Sequence, residues 1–227
     1  QNPSHIFSAP GQYTVTLISL TTNGCSDTIS REIEISGKPM VDFTMQNSCQ
    51  NTVIQFEPNP AVMNIPAIST WHWDFGDGGN STLQSPPHIY ATSGIFYVTL
   101  TAEDSTGCTN TITKVISIIP QPYSDFTTSQ PVCNLSEVEF TSLASAPAGY
   151  ITTWIWNFGD GNSVVINNTG NPNVLHVYSN YGIFFASLTV VTNDSCNNAI
   201  IKQVNVEPTP LANFAFSDDC VGNAVTF

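Results

Sequence analysis

Three kinds of side chain in this sequence could do chemistry. They are six cysteines (Cys25, Cys49, Cys108, Cys133, Cys196, Cys220), four histidines (His5, His72, His88, His176) and the aspartates of two near-identical stretches. Those stretches are Trp71-His72-Trp73-Asp74-Phe75-Gly76-Asp77-Gly78 and Trp154-Ile155-Trp156-Asn157-Phe158-Gly159-Asp160-Gly161. The cysteines show no CxxC and no Cys/His spacing suited to zinc, so disulfides in an oxidising, extracellular compartment are expected. A catalytic histidine should be unique and sit beside a nucleophile or carboxylate. His5, His88 and His176 instead recur at one equivalent position, which predicts a structural hydrogen bond, and His72 stands alone. With no GxSxG, HExxH, paired-glutamate or phosphate-loop signature, no catalytic residue is assigned and enzyme activity is not expected. In Phe-Gly-Asp-Gly the glycines suit positive φ, and the aspartate can accept bonds from nearby backbone N–H groups, which makes a turn. Asp74, Asp77 and Asp160 are also the candidates for a calcium site, joined by linker acids such as Asp42 or Glu103, because Ca²⁺ takes hard oxygen ligands. Asn157 removes one carboxylate from the second copy, which weighs against a metal in every repeat. No other cofactor is expected.

The elements that must position these residues come from an internal repeat. The two aromatic motifs lie 83 residues apart, measured from Phe75 to Phe158, a period typical of repeat arrays. Their flanks repeat too: Pro3-Ser4-His5-Ile6-Phe7, Pro86-Pro87-His88-Ile89-Tyr90 and Val174-Leu175-His176-Val177-Tyr178 each precede a glycine (Gly11, Gly94, Gly182). Alternating strands follow, Tyr13-x-Val15-x-Leu17, Phe96-x-Val98-x-Leu100 and Phe184-x-Ala186-x-Leu188, with apolar residues on one face. Next come Cys25, Cys108 or Cys196, then a last strand and a proline-bearing linker, Gly37-Lys38-Pro39, Pro120-Gln121-Pro122 or Pro208-Thr209-Pro210. Proline there stops the strand and stiffens the junction. Each following unit opens with Val41-Asp42-Phe43, Ser124-Asp125-Phe126 or Ala212-Asn213-Phe214 and then Cys49, Cys133 or Cys220.

The expected domains are therefore 1–40, the second half of one unit; 41–122 and 123–210, whole units; and 211–227, the start of another. About seven short strands per unit, frequent turn residues and no helical periodicity predict an all-β sandwich. Half-units alone would leave strand edges and half a core exposed, so the chain is expected to belong to a longer array. In Trp-x-Trp-x-Phe, Trp71, Trp73 and Phe75 share one strand face and His72 and Asp74 the other. Core packing is expected, since Trp154, Trp156 and Phe158 repeat it; a sugar-binding aromatic platform is the alternative.

Of 227 residues, 9% are charged, with 17 acids against Arg31, Lys38, Lys114 and Lys202, for a net charge of −13. Such a surface repels phosphate backbones and anionic lipid headgroups, which excludes nucleic-acid binding. With 41% hydrophobic and 11% aromatic residues the chain folds and is not an acidic tail. No apolar run reaches the ~18 residues that span a bilayer, so no membrane insertion is expected in this segment.

The motif Trp-Asp-Phe-Gly-Asp-Gly, then His-x-Tyr, Gly and an alternating strand, resembles the polycystic-kidney-disease (PKD) repeat. Trp73, Phe75, Gly76, Asp77 and Gly78 match it in full with Asp74; Trp156, Phe158, Gly159, Asp160 and Gly161 match with Asn157 as the one departure. The resemblance implies tandem immunoglobulin-like β-sandwiches in an elongated array, carrying and spacing other parts and in some members binding carbohydrate or protein. The added cysteine pair resembles repeats in giant surface proteins of Bacteroidetes bacteria, including adhesins linked to gliding and type IX secretion. It implies a non-catalytic stalk or surface filament that spaces a distal adhesive region from the cell. Its partners would be neighbouring repeats and surface polysaccharide or proteins. A carbohydrate- or protein-binding accessory module of a secreted hydrolase is the alternative. Sequons at Asn80, Asn134, Asn167 and Asn193, and Asp27-Thr28-Ile29 as a short O-glycosylation motif, are noted without assignment.

In such a sandwich the first strand runs from one end to the other, placing Cys49 at the bottom and Cys108 at the top. A strand of ~6 residues separates those levels by about 20 Å, whereas a disulfide needs Cα atoms within ~7 Å. This disfavours Cys49–Cys108 and Cys133–Cys196. The favoured pairing is Cys49–Cys196, a link between neighbouring repeats.

Overall fold

The computed structural model describes residues 2–59, 68–167 and 170–215, and Cys220 lies outside them. The chain forms two compact units, Gln1–Ile119 and Pro120–Phe227. The described residues form β-strands and turns, as the period-two patterning predicts.

In the first unit, β1 (Gly11–Leu20) and β2 (Ser26–Ile35) form a ten-residue antiparallel hairpin. Seven strands follow: β3 (Phe43–Gln46), β4 (Ile54–Pro58), β5 (Ile68–Asp74), β6 (Asn80–Ser81), β7 (Pro87–His88), β8 (Gly94–Asp104) and β9 (Thr109–Ile118). They form a three-stranded sheet, β3-β4-β7, and a four-stranded sheet, β6-β5-β8-β9. The second unit repeats the plan with β10 (Phe126–Thr128), β11 (Glu137–Ser142), β12 (Ile151–Asn157), β13 (Ser163–Asn167), β14 (Val174–Val177), β15 (Gly182–Thr192) and β16 (Asn197–Val206). Its sheets are β10-β11-β14 and β13-β12-β15-β16. Both units are β-sandwiches of immunoglobulin type, and their seven-strand cores match the expected number.

Alternation decides what fills them. Along β8, Val98, Leu100 and Ala102 are fully buried, while Ile95 and Tyr97 face outward. Trp73, Phe75, Phe43 and Phe56 meet in one buried aromatic cluster, with ring centroids 5.2 to 6.3 Å apart in edge-on, tilted and stacked contacts. Trp156, Phe158, Phe126 and Phe140 reproduce it. These rings are core, so the sugar-platform reading of Trp73 and Trp156 does not hold. Trp71 and Trp154 are partly buried against the same cores. The buried indole N–H groups are satisfied: Trp73 Nε1 donates to the Leu83 carbonyl and Trp156 Nε1 to the Pro172 carbonyl, each at 2.9 Å.

The first glycine of each turn is held by close backbone approach. Gly76 has φ 80° and Gly159 φ 82°, and a Cβ on either would lie 2.7 Å from the carbonyl oxygen of Tyr97 or Phe185. Gly78, at φ 93°, has open space around it. Both positions strain an L-residue, and only Gly76 adds a collision with backbone. Gly78→Ala should cost ~1–3 kcal/mol of stability, and Gly76→Ala clearly more. Urea midpoints of the two variants measure the difference, and equal midpoints would remove the steric account.

Candidate functional site

The features that recur in both units are a latched turn on one sheet and a cysteine at each end of the sandwich. The turn follows β5 and β12. Asp74 Oδ1 accepts the Gly76 N–H and Asn157 Oδ1 accepts the Gly159 N–H, both at 2.9 Å. One acceptor oxygen is all the position needs, which explains why asparagine serves as well as aspartate. The next aspartate does more. Asp77 Oδ1 accepts the Gly79 N–H at 2.9 Å while Oδ2 lies 2.8 Å from His88 Nε2. Asp160 accepts the Asn162 N–H at 3.0 Å and lies 2.8 Å from His176 Nε2.

Each histidine ring stacks flat on the motif phenylalanine, His88 on Phe75 at 4.0 Å and His176 on Phe158 at 3.9 Å. Tyr90 and Tyr178, two residues on, are buried and donate to the Phe75 and Phe158 carbonyls at 3.0 Å; burial raises both phenol pKa values. The predicted role of His88 and His176 as structural hydrogen-bonding groups is thus visible. His5, ahead of β1, packs edge-on against Phe7.

Burial works against the charge on Asp77, but the Gly79 amide and the His88 ring outweigh it and hold the carboxyl below its ordinary 3.8. For Asp160 the opposing groups are the Asn162 amide and side chain and then His176. Both aspartates are therefore carboxylates near neutrality, and the ring N–H donates to them. The calcium candidates do not converge. Asp77 and Asp160 bond to protein donors, Asp42 pairs with Lys114, and Glu103 lies 3.5 Å from Thr70 Oγ1. No group of three or more His, Cys, Asp or Glu side chains suited to a metal occurs among the described residues.

The two ends of each sandwich are defined by the first and last strands, which run parallel. At the end where the chain enters, Asn110 Nδ2 donates to the Pro39 carbonyl at 2.8 Å. Midway, Lys114 Nζ donates to the Phe43 carbonyl at 2.5 Å, pairs with Asp42 at 2.6 Å and sits 5.0 Å over the Phe43 ring. At the far end Cys49 bridges Ile119 in parallel, with Ile119 N–H donating to Ser48 and Gln50 N–H to Ile119. The second repeat has the same three rungs: Asn198 to Pro122, Lys202 to Phe126 and Asp125, and Cys133 bridging Glu207. Lys114 lowers the pKa of Asp42 and Lys202 that of Asp125. Sequence reasoning missed these latches, although Arg31, Lys114 and Lys202 share one register position, opposite Val15, Val98 and Ala186.

This geometry rules out a disulfide inside a repeat. Cys49 lies beside Ile119, whereas Cys108 immediately precedes β9, eleven residues of extended chain away. That is about 35 Å, against the ~7 Å a disulfide spans. Asp104 Oδ1 pins the turn at Cys108 by accepting the Thr106 and Cys108 N–H groups at 2.8 and 3.0 Å. Cys133 and Cys196 stand at opposite ends of β16 in the same way. Cys25, Cys108 and Cys133 carry free thiols, while Cys49 and Cys196 are disulfide-bonded. The disfavoured pairings Cys49–Cys108 and Cys133–Cys196 are therefore absent.

A family model described as PKD domain matches residues 36–118 and 120–207. Among curated proteins, a microbial collagenase of Vibrio alginolyticus is 27% identical over 180 residues, covering 72% of this chain and 19% of the relative. Collagenase ColA of Bacillus cereus is 37% identical over 57 residues, covering 25% of this chain and 6% of the relative. The chain thus spans a fifth or less of the length of these relatives. Among solved structures, the PKD1 domain of the Vibrio cholerae metalloprotease PrtV matches 36% of this chain and 96% of that one at 26% identity, with a TM-score of 0.32.

The latched turn makes a pH prediction. A carboxyl whose folded pKa is depressed stabilises the fold above its unfolded pKa, and that contribution disappears as pH falls through the folded value. For Asp77 and Asp160 the window lies below about pH 4. Asp77→Asn/Asp160→Asn should be less stable at neutral pH and should lose less stability on acidification. Thermal melts from pH 7 to pH 2 measure this; parallel curves for variant and parent would overturn the assignment.

Proposed function

This chain belongs to the PKD domain family, and from that premise we propose that it is a non-catalytic spacer whose consecutive repeats are joined covalently. The coarser role is that of an accessory module of secreted proteins. The finer one is a stalk at the cell surface, holding an adhesive region away from the cell as in a gliding-type adhesin.

The observation that carries the reading is that each repeat presents one cysteine at each end of its sandwich, where the chain also enters and leaves. A cysteine in that position cannot stabilise its own repeat by cross-linking it and is suited to linking a neighbour. Cys49 lies beside Ile119, where the first repeat ends. Cys196 directly precedes β16, whose Asn198 holds Pro122, where the second begins. Two residues of linker, Pro120 and Gln121, separate Ile119 from Pro122, at most about 11 Å of chain, and we assign the pairing Cys49–Cys196. In this pattern Cys25, Cys108, Cys133 and Cys220 pair with cysteines of repeats other than the two complete ones. The bonded state of Cys49 and Cys196, with free thiols at Cys25, Cys108 and Cys133, supports it.

A second reading, a binding module serving a secreted hydrolase, is favoured by one observation. Tyr97 and Phe185 are exposed at equivalent positions, 63% each, beside exposed Ile95 and Ile183. Pull-down on insoluble polysaccharide and on fibrous collagen tests it: Tyr97→Ala/Phe185→Ala should lower any retention at least tenfold if this face binds.

The covalent spacer is tested by peptide mapping of the oxidised chain under non-reducing conditions. A peptide pair joining Cys49 to Cys196 is expected, and Cys196→Ser should release one alkylatable thiol at Cys49. A Cys49–Cys108 pair, or six alkylatable thiols, would overturn the proposal.

A further inference from the structure

In each repeat two stretches of backbone run the full length of the sandwich in the same direction. In the first they are Pro39 to Cys49 and Cys108 to Ile119; in the second, Pro122 to Cys133 and Cys196 to Glu207. Each pair is tied side to side at the three rungs already described. Of the four ends of such a pair, two are where the chain itself enters and leaves and two are cysteines, Cys49 and Cys196 bonded and Cys108 and Cys133 free thiols.

We infer that these paired stretches are tension-bearing tracks, so that a pulling force passes along about a dozen residues per track in each repeat and leaves the rest of the sandwich outside its path. The inference rests on the Cys49–Cys196 linkage proposed above and concerns what that linkage does.

Without the linkage, force enters a repeat at the start of its first strand and leaves at the end of its last. The two parallel strands are pulled in opposite senses, β3 shears past β9, and failure releases the whole repeat. A repeat of 83–88 matched residues gives about 300 Å when drawn out. With every cysteine linked to its neighbour, both tracks are pulled upward at one end and downward at the other. They move together and the rungs between them carry no shear; β9 and β16 are already extended, so the slack is confined to the short non-strand stretches flanking β3 and β10. Strands β4 to β8, with Trp73, Phe75 and the latched turn, hang between Cys49 and Cys108 as a side loop. An array built this way keeps its length under tension even if a core opens. The lysine and asparagine rungs then hold the tracks in register, a task that exposed ion pairs worth ~0–1 kcal/mol can perform.

The full chain tests this by single-molecule stretching from its two ends. Oxidised, the force path runs from residue 1 to Cys49, across the disulfide to Cys196 and on to residue 227. Extension should saturate at about 80 residues, ~280 Å, against ~800 Å for the reduced chain of 227 residues. The oxidised chain is then held at the force that unfolds both repeats of Cys196→Ser, and reductant is introduced. If the sandwiches stayed folded outside the path, the added length of about 500 Å appears as separate unfolding steps after reduction. If it appears as one immediate jump, residues 50–195 had already unfolded under load, and the two-track inference is wrong although the disulfide exists. If non-reducing peptide maps lack the Cys49–Cys196 pair, the linkage itself is wrong and the inference falls with it.

Discussion

Strand β9 is ten residues long, and so is β16; each has a cysteine just before its first residue, and the residue just past its last forms a parallel β-bridge with the repeat's other cysteine. An extended strand is a ruler: at ~3.3 Å per residue it holds its two ends far beyond the reach of a disulfide. The cysteine chemistry of the chain follows from that constraint. A shorter last strand, or a first strand running the other way, would bring both cysteines of a repeat to one end and close an ordinary internal bridge. Here the first strand runs parallel to the last, so sulfur appears at both poles of the sandwich.

The ruler is straight because the core behind it is stiff. Trp73 on β5 and Phe75 just after it, and Trp156 on β12 and Phe158 just after it, fill each sandwich, while the chain must turn sharply straight after the phenylalanine. Gly76 and Gly159 make that turn possible at positive φ and let the neighbouring backbone of Tyr97 and Phe185 approach. The aspartate that follows closes the turn onto the histidine stacked over the same phenylalanine. The acid brought beside a histidine ties β7 and β14 to the turn. The environment of the pair explains its permanence. The backbone amide and the ring N–H stabilise the carboxylate, and the flat face of the phenylalanine fixes the ring.

Much of this was legible in the sequence, because it depends on local spacing. Alternation along Phe96-x-Val98-x-Leu100 identifies a half-buried strand, and the recurring Trp-x-Trp-x-Phe identifies the core. Phe-Gly-Asp-Gly identifies the turn, and the recurrence of His88 and His176 their structural role. What escaped depends on contacts between residues some 70 positions apart. In the sequence Lys114 is one of a few scattered basic residues, and nothing local to it or to Asp42 says that β3 runs alongside β9. Chemical type alone groups the aspartates for calcium, whereas the fold sends Asp42 to lysine and Asp77 to histidine. The two-residue strands β6 and β7 are too short for any periodicity to reveal.

The sign of the cysteine arrangement can also be argued from chain entropy. A bridge closing Cys49 to Cys108 would constrain a loop of about 60 residues and stabilise one repeat by ~4 kcal/mol in the loop-closure model. A bridge from Cys49 to Cys196 closes about 148 residues and is worth ~5 kcal/mol on the same scale, slightly more despite leaving each repeat individually uncrosslinked. The difference lies in what is coupled. The larger loop contains most of the first repeat and most of the second, so the unfolded state that is penalised is one in which both have opened. An internal bridge protects a domain, whereas the proposed one ties the fate of each domain to its neighbour, which is what an array needs if its length is its function.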